Sequence, residues 1–120
     1  MKPRSTHGWK LALGAVLALG VSVSCASALR HPTAGDATWA KSQWPTSSLD
    51  SLRAGRRLYV EKCAGCHELY MPHDRNAADW LRIVDEMQNE QDVNLSPSEA
   101  ERIYHYLATA SKPRNSQAEL

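Results

Sequence analysis

The sequence predicts a small all-α domain on three observations. Three stretches repeat apolar residues at intervals of three and four, which is the period of an α-helix. No stretch alternates apolar and polar residues as a half-buried strand does. The chain has 120 residues, enough for one small domain. We therefore expect a bundle of three main helices around one core.

Residues 1–28 have the three parts of a secretory signal peptide. A basic start precedes an apolar run at residues 11–23, and small residues then lead to an Ala-x-Ala site that ends at Ala28. The apolar run is shorter than the roughly 20 residues of a transmembrane helix. We therefore expect export, cleavage after Ala28 and a periplasmic protein without a transmembrane anchor. Lipidation of Cys25 is the less favoured alternative, because Ser22 stands where bacterial lipoproteins usually have leucine.

The chain after the signal peptide carries little net charge. Residues 29–120 hold all 13 acidic residues but only 11 of the 14 basic ones, which gives a formal charge of −2. The absence of a basic stripe argues against nucleic acid as a partner. Residues 29–48 are polar and contain scattered Pro, Gly, Ser and Thr, so we expect an extended arm or linker. We expect its Trp39 and Trp44 to pack on the domain surface, with a partner contact as the less favoured alternative.

The first two helical segments follow this arm. The first begins near Ser51 and ends at Cys63. Its apolar face consists of Leu52, Gly55 and Tyr59, with Leu58 beside them. The second covers residues 77–90, with Asn76 or Asp79 as its N-cap. Its single apolar stripe consists of Trp80, Ile83, Val84 and Met87.

The third helical segment has the clearest boundaries. Ser96 is an N-cap, Pro97 takes the first helical position, and Glu99 completes a capping box. Its apolar stripe consists of Ala100, Ile103, Tyr104, Leu107 and Ala108. Pro113 ends the helix and begins a flexible tail, residues 113–120. Three short helices make a small core, and such domains usually need a metal, a cofactor or disulfides for stability.

The segment Cys63-Ala64-Gly65-Cys66-His67 is compatible with several chemistries. A disulfide between its cysteines would close a very small loop and stabilise the fold little. A thioredoxin-like dithiol belongs at a helix start after a strand, whereas this motif ends a helical segment. Structural zinc needs four ligands, and His73 or His105 would have to complete the set, since the chain has no second ligand pair.

Attachment of a c-type haem uses every part of the motif. The two cysteines form thioethers with the vinyl groups of the porphyrin, and the adjacent His67 coordinates the iron. Ala64 and Gly65 are small, so the porphyrin edge can approach the backbone. Haem attachment follows export, which the signal peptide predicts, and the haem would fill the small core. We therefore expect one covalent haem c and its iron, attached through Cys63 and Cys66.

Three segments carry a family resemblance: AGRRLYVEKCAGCHELYMP, ADWLRIVDEMQ and LSPSEAERIYHYLA. They resemble a small monohaem bacterial cytochrome c of the class I type, over about residues 52–110. The resemblance implies a cytochrome c domain at residues 49–112, in which the helix with Gly55 crosses the helix with Leu107. The segment before the last helix is shorter than in many class I cytochromes. It resembles compact variants that carry their methionine ligand on the preceding helix, here at Met87.

The sixth iron ligand has four candidates by residue type: Met71, His73, Met87 and His105. Met71 and His73 follow His67 too closely to reach the opposite face of a haem. Their turn, residues 70–72, is expected to orient the His67 imidazole through a backbone carbonyl. His105 lies beside Tyr104 and away from the main apolar stripe, so we expect it to be exposed. From the residues themselves, Met87 could either pack in the core or ligate the iron. The resemblance favours ligation.

The resemblance implies an electron carrier rather than an enzyme. A His/Met-ligated haem would exchange single electrons with redox partner proteins that dock transiently. One alternative is a haem protein with an open site, either a gas sensor or a peroxidase-like enzyme. The chain shows no distal arginine-histidine pair for peroxide cleavage. Another alternative is a haem subunit of a larger periplasmic oxidoreductase, with the Trp39/Trp44 arm as its docking element.

Overall fold

The computed structural model describes residues 28–113. Within this range lie four α-helices and one short 3-10 helix. They are α1 Ala34–Gln43, α2 Leu49–Cys63, the 3-10 helix Pro72–Asp74, α3 Ala77–Asn89 and α4 Pro97–Ala110. Residues 28–113 contain no strand, so the predicted all-α class is confirmed. The predicted signal peptide up to residue 27 and the tail from residue 114 lie outside the described residues.

Local capping signals set the starts of the three predicted helices. Asn76, one of the two predicted N-caps of α3, accepts a hydrogen bond from the Asp79 backbone N–H through its side chain. Ser96 and Glu99 form the predicted capping box of α4. Helix α2 begins slightly earlier than predicted, because Ser48 and Ser51 form a reciprocal cap. None of the helices within the described range has the length and apolarity that a membrane span requires.

The expectation of an extended arm is wrong for residues 34–43, which form α1. Its start is fixed by a capping box: Thr33 Oγ1 accepts from Asp36 N at 3.3 Å, and the Asp36 carboxylate accepts from Thr33 N at 2.8 Å. The Asp36 carboxylate also pairs with the Arg30 guanidinium. Helix α1 has no apolar stripe, so hydrophobic periodicity does not reveal it.

Helix α4 is the centre of the bundle and packs most extensively against α2 and α3. Helix α1 contacts both α2 and α4. At the crossing of α2 and α4, a Cβ atom on Gly55 would overlap the Arg102 carbonyl and crowd Tyr106. The two helices therefore approach more closely than any larger residue at position 55 would allow, which gives the predicted crossing its physical basis.

The stretch before α1 is fastened to the bundle. The side chain of Leu29 is 1% exposed and belongs to the core. Its carbonyl accepts hydrogen bonds from the Arg56 guanidinium at 3.3 and 3.4 Å. The Arg30 carbonyl accepts one from the Tyr106 hydroxyl at 2.9 Å, and Arg30 Nη1 donates to the Lys112 carbonyl at 2.8 Å. Contacts from both α2 and α4 thus hold residues 29 and 30.

The two tryptophans of the predicted arm pack on the domain surface, as expected. Trp44 stacks on His105 and meets Trp39 edge to face, with ring centroids 5.7 Å apart. The Lys112 ammonium lies 3.5 Å from the Trp39 ring centre. The expectation that His105 is exposed is wrong, because this packing leaves it only 7% exposed. Its Nδ1 atom lies 3.1 Å from Ser47 Oγ, so the buried ring has a polar partner.

Candidate haem site

A groove with about 220 Å³ of free volume lies between the end of α2, the loop after it and α3. All four predicted site residues line it, namely Cys63, Cys66, His67 and Met87. The other lining residues are Tyr59, Lys62, Tyr70, Trp80, Ile83, Gln91 and Val93. Residues from α2, the loop after it, α3 and the stretch after α3 therefore meet in one concave site.

The two cysteines stand at the end of α2. Cys63 is the last residue of the helix and is half-buried, whereas Cys66 is exposed in the turn that follows. Neither thiol forms a disulfide. Burial raises the pKa of the Cys63 thiol to about 11, and the neighbouring Cys66 adds to this effect. The attacking thiol of a redox dithiol has a lowered pKa, and Cys63 does not provide such a thiol.

The imidazole of His67 is exposed at the rim of the groove. Its Nδ1 atom lies 2.7 Å from the carbonyl oxygen of Glu68. When the proton is on Nδ1 and is donated to this carbonyl, the lone pair of Nε2 is available to a metal. A backbone carbonyl does contact the imidazole, but it belongs to Glu68 rather than to the predicted turn at residues 70–72.

The four candidates for a sixth ligand lie in different environments. Met87 is half-buried and lines the groove. Met71 packs against the hydrophobic core instead. His73 is 74% exposed in its side chain and lies 3.7 Å from the Asp74 carboxylate. His105 is stacked on Trp44. Of these four described residues, Met87 is therefore the one that shares the groove with the cysteines.

The lining of the groove suits a porphyrin. A smaller cavity of about 20 Å³ adjoins it, lined mainly by aliphatic and aromatic side chains with Cys63 and Met87. A Cβ atom placed on Gly65 would meet no other described atom within 4 Å, so the backbone of the motif is open to a close neighbour. Two thiols, an imidazole and a thioether around an apolar groove are the donor set of a c-type haem.

The described residues do not form the zinc site that was the alternative to a haem. Within residues 28–113, no three His, Cys, Asp or Glu side chains come together as a group that would hold a metal ion. His105 could complete such a set only by leaving its stack on Trp44.

The dihaem cytochrome c family matches residues 59–119, which are 61 of the 120 residues of the chain. The chain belongs to the dihaem cytochrome c family. Neither a curated protein nor a solved structure matches it. As a dihaem-family cytochrome it is a haem-binding electron-transfer protein, which bears out the predicted c-type cytochrome and its haem. The family differs from the monohaem class I type that the resemblance suggested, although this chain contains a single Cys-x-x-Cys-His segment.

Two aromatic residues of this cytochrome belong to the groove, although their apolar stripes alone predict ordinary core residues. Tyr59 and Trp80 line the groove, and their rings meet nearly edge to face with centroids 6.0 Å apart. Their sequence spacing from the candidate haem-binding residues is the signal that could have placed them in the groove. Tyr59 stands four residues before Cys63, and Trp80 stands seven before Met87, so each shares a helix face with a candidate haem-binding residue.

Proposed function

We propose that this cytochrome is an exported monohaem electron carrier whose haem is held by Cys63, Cys66, His67 and Met87. The observation that supports the proposal most strongly is that these four residues line one groove. The chain offers one attachment motif, which is the basis for one haem per chain. When bound, the haem iron supplies a one-electron redox couple.

Different residues of the chain would attach the haem, ligate its iron and shield it from water. The thiols of Cys63 and Cys66 would provide the covalent attachment, and His67 Nε2 and the Met87 sulfur would donate to the iron. Apolar neighbours of the groove, such as Ile83 and Val93, limit the access of water. A methionine and a histidine as iron ligands would favour a higher reduction potential than two histidines would.

The same arrangement supports electron transfer without an enzymatic reaction. With the Met87 thioether and the His67 imidazole both bound, the iron would keep no open site for a substrate. The exposed rim of the groove, which includes Cys66, His67 and the 47% exposed Tyr70, is where redox partners would dock transiently. We propose that the protein works in the periplasm, because the Cys-x-x-Cys-His segment follows a predicted signal peptide. Cleavage after Ala28 is our proposal for its release, with a lipid anchor at Cys25 as the alternative.

Covalent haem is tested with protein produced together with a haem-maturation system. On a denaturing gel the wild-type band should retain peroxidase-active haem stain. The double variant Cys63→Ala, Cys66→Ala should lose the stain because both thioethers are gone. The intact mass should correspond to the processed chain plus one haem. A wild-type band without stain would refute the proposed function, and a mass with two haems would refute the monohaem count.

A further inference from the structure

The loop that carries His67 is tied to the two helices on either side of it. Residues 67–71 form no helix, and the 3-10 helix Pro72–Asp74 follows them. The Tyr59 hydroxyl donates a hydrogen bond to the Tyr70 carbonyl at 3.0 Å. The indole Nε1 of Trp80 donates to the Pro72 carbonyl at 2.8 Å. A side chain from α2 and a side chain from α3 thus hold carbonyls two residues apart in the same loop.

Each donor also shares a helix face with another candidate haem-binding residue. Tyr59 precedes Cys63 by one helical turn, and Trp80 precedes Met87 by two turns. The hydrogen bond from Tyr59 therefore connects the His67 loop with the cysteine face of α2. The hydrogen bond from Trp80 connects the same loop with the methionine face of α3.

The two donors are buried and in contact with each other. Tyr59 is 3% exposed and Trp80 is 1% exposed, and their rings contact each other at the bottom of the groove. Buried donors of this kind are costly to leave unpaired, so each bond resists opening of the loop. Burial also raises the pKa of the Tyr59 hydroxyl above its usual range, which keeps the proton on the donor.

We infer that Tyr59 and Trp80 are positioning residues that fix the His67 imidazole relative to the cysteines and Met87. The inference rests on the proposed function, because it concerns the geometry around a bound haem. His67 itself is exposed, and its Nδ1 atom lies 2.7 Å from the adjacent Glu68 carbonyl. The orientation of its ring therefore depends on how firmly the following loop is held.

The test compares Tyr59→Phe with Tyr106→Phe in the haem-loaded protein. Both changes remove one hydroxyl from a tyrosine that is at most 3% exposed. The Tyr106 hydroxyl, however, donates to the Arg30 carbonyl, which belongs to the stretch before α1. Tyr59→Phe should broaden the low-spin electron paramagnetic resonance signal of the ferric haem, since the imidazole plane samples more orientations. Hydrogen exchange at residues 67–75 should accelerate about fivefold, as expected for one lost hydrogen bond.

Tyr106→Phe should leave both the resonance signal and exchange at residues 67–75 as in the wild type. Equal effects of the two variants would overturn the inference, because they would indicate a general loss of stability. If Tyr59→Phe fails to fold, Trp80→Phe removes the other donor and is judged by the same two readouts. Failure of the proposed function would show earlier and separately, as wild-type protein without covalent haem.

Discussion

The indole ring of Trp44 lies almost parallel to the imidazole of His105, with centroids 4.0 Å apart and planes 15° from each other. This contact joins the stretch after α1 to the central helix α4. Ser47 Oγ lies 3.1 Å from the Nδ1 atom of the same imidazole, and the carboxylate of Glu101 lies 3.9 Å from Nε2. Burial lowers the pKa of His105, and the nearby Glu101 only partly opposes that effect.

Stability should therefore fall in mild acid because of His105. The unfolded chain takes up a proton below its usual histidine pKa of about 6.5, whereas the folded protein resists protonation. The contribution is present above this pH and is lost as the pH falls towards the lowered folded pKa. Chemical denaturation from pH 8 to pH 5 should show a smaller decline for His105→Asn than for the wild type. Identical declines would mean that His105 is not responsible.

Gly55→Ala should destabilise the crossing of α2 and α4. A Cβ atom there overlaps the Arg102 carbonyl, and backbone atoms cannot move aside cheaply. Overpacking of this kind costs about 1–3 kcal/mol. Gly35→Ala is the matched control, since its new Cβ atom would lie an ordinary 3.8 Å from Thr33 Oγ1. Thermal unfolding should show a lower midpoint temperature for Gly55→Ala and an unchanged one for Gly35→Ala. Equal midpoint temperatures for the two variants would contradict the tight crossing.

Leu29→Ala should lower the free energy of unfolding by about 2–5 kcal/mol, because it removes a core side chain that is 1% exposed. Leu81→Ala makes the same chemical change at a side chain that is 54% exposed, so it should change stability by no more than about 0.5 kcal/mol. Denaturant titration of both variants measures the difference. Similar small effects would show that the stretch before α1 is not fastened to the core in solution.

The processed protein should begin at Leu29, because Ala28 completes the predicted cleavage site. Intact-mass and N-terminal peptide analysis of protein from the periplasm measures this directly. A lipid on Cys25 would instead place the cytochrome on a membrane surface.

Met87→Ala should change the haem spectrum if the thioether is the sixth ligand. The weak long-wavelength band of thioether-iron coordination should disappear from the ferric protein. Carbon monoxide should then bind the ferrous protein, and the reduction potential should fall. Met71→Ala is the control, because Met71 is also half-buried but packs against the core. It should cost stability and leave the spectrum unchanged.

An unchanged spectrum in Met87→Ala would assign Met87 to packing. Wild-type protein that binds carbon monoxide readily would favour the alternative of an open-site sensor or peroxidase-like protein.

The sequence alone determined the local features of this cytochrome. Ser96 and Glu99 fixed the start of α4, and apolar periodicity identified the three long helices, because caps and stripes depend on neighbours within a few residues. The motif from Cys63 to His67 favoured haem attachment together with the predicted signal peptide and the helical context. Gly55 signalled the close crossing of α2 and α4 only with the help of the family resemblance.

Tertiary structure decided which of these residues share one environment. Helix α1 lacks an apolar stripe and is held by a capping box and its contacts with α2 and α4, so periodicity did not find it. His105 is buried because Trp44, 61 positions earlier, stacks on it. Met87 lines the groove while Met71 packs against the core, although their side chains are chemically identical. Burial depends on which distant segments pack together, and no local pattern contains that information.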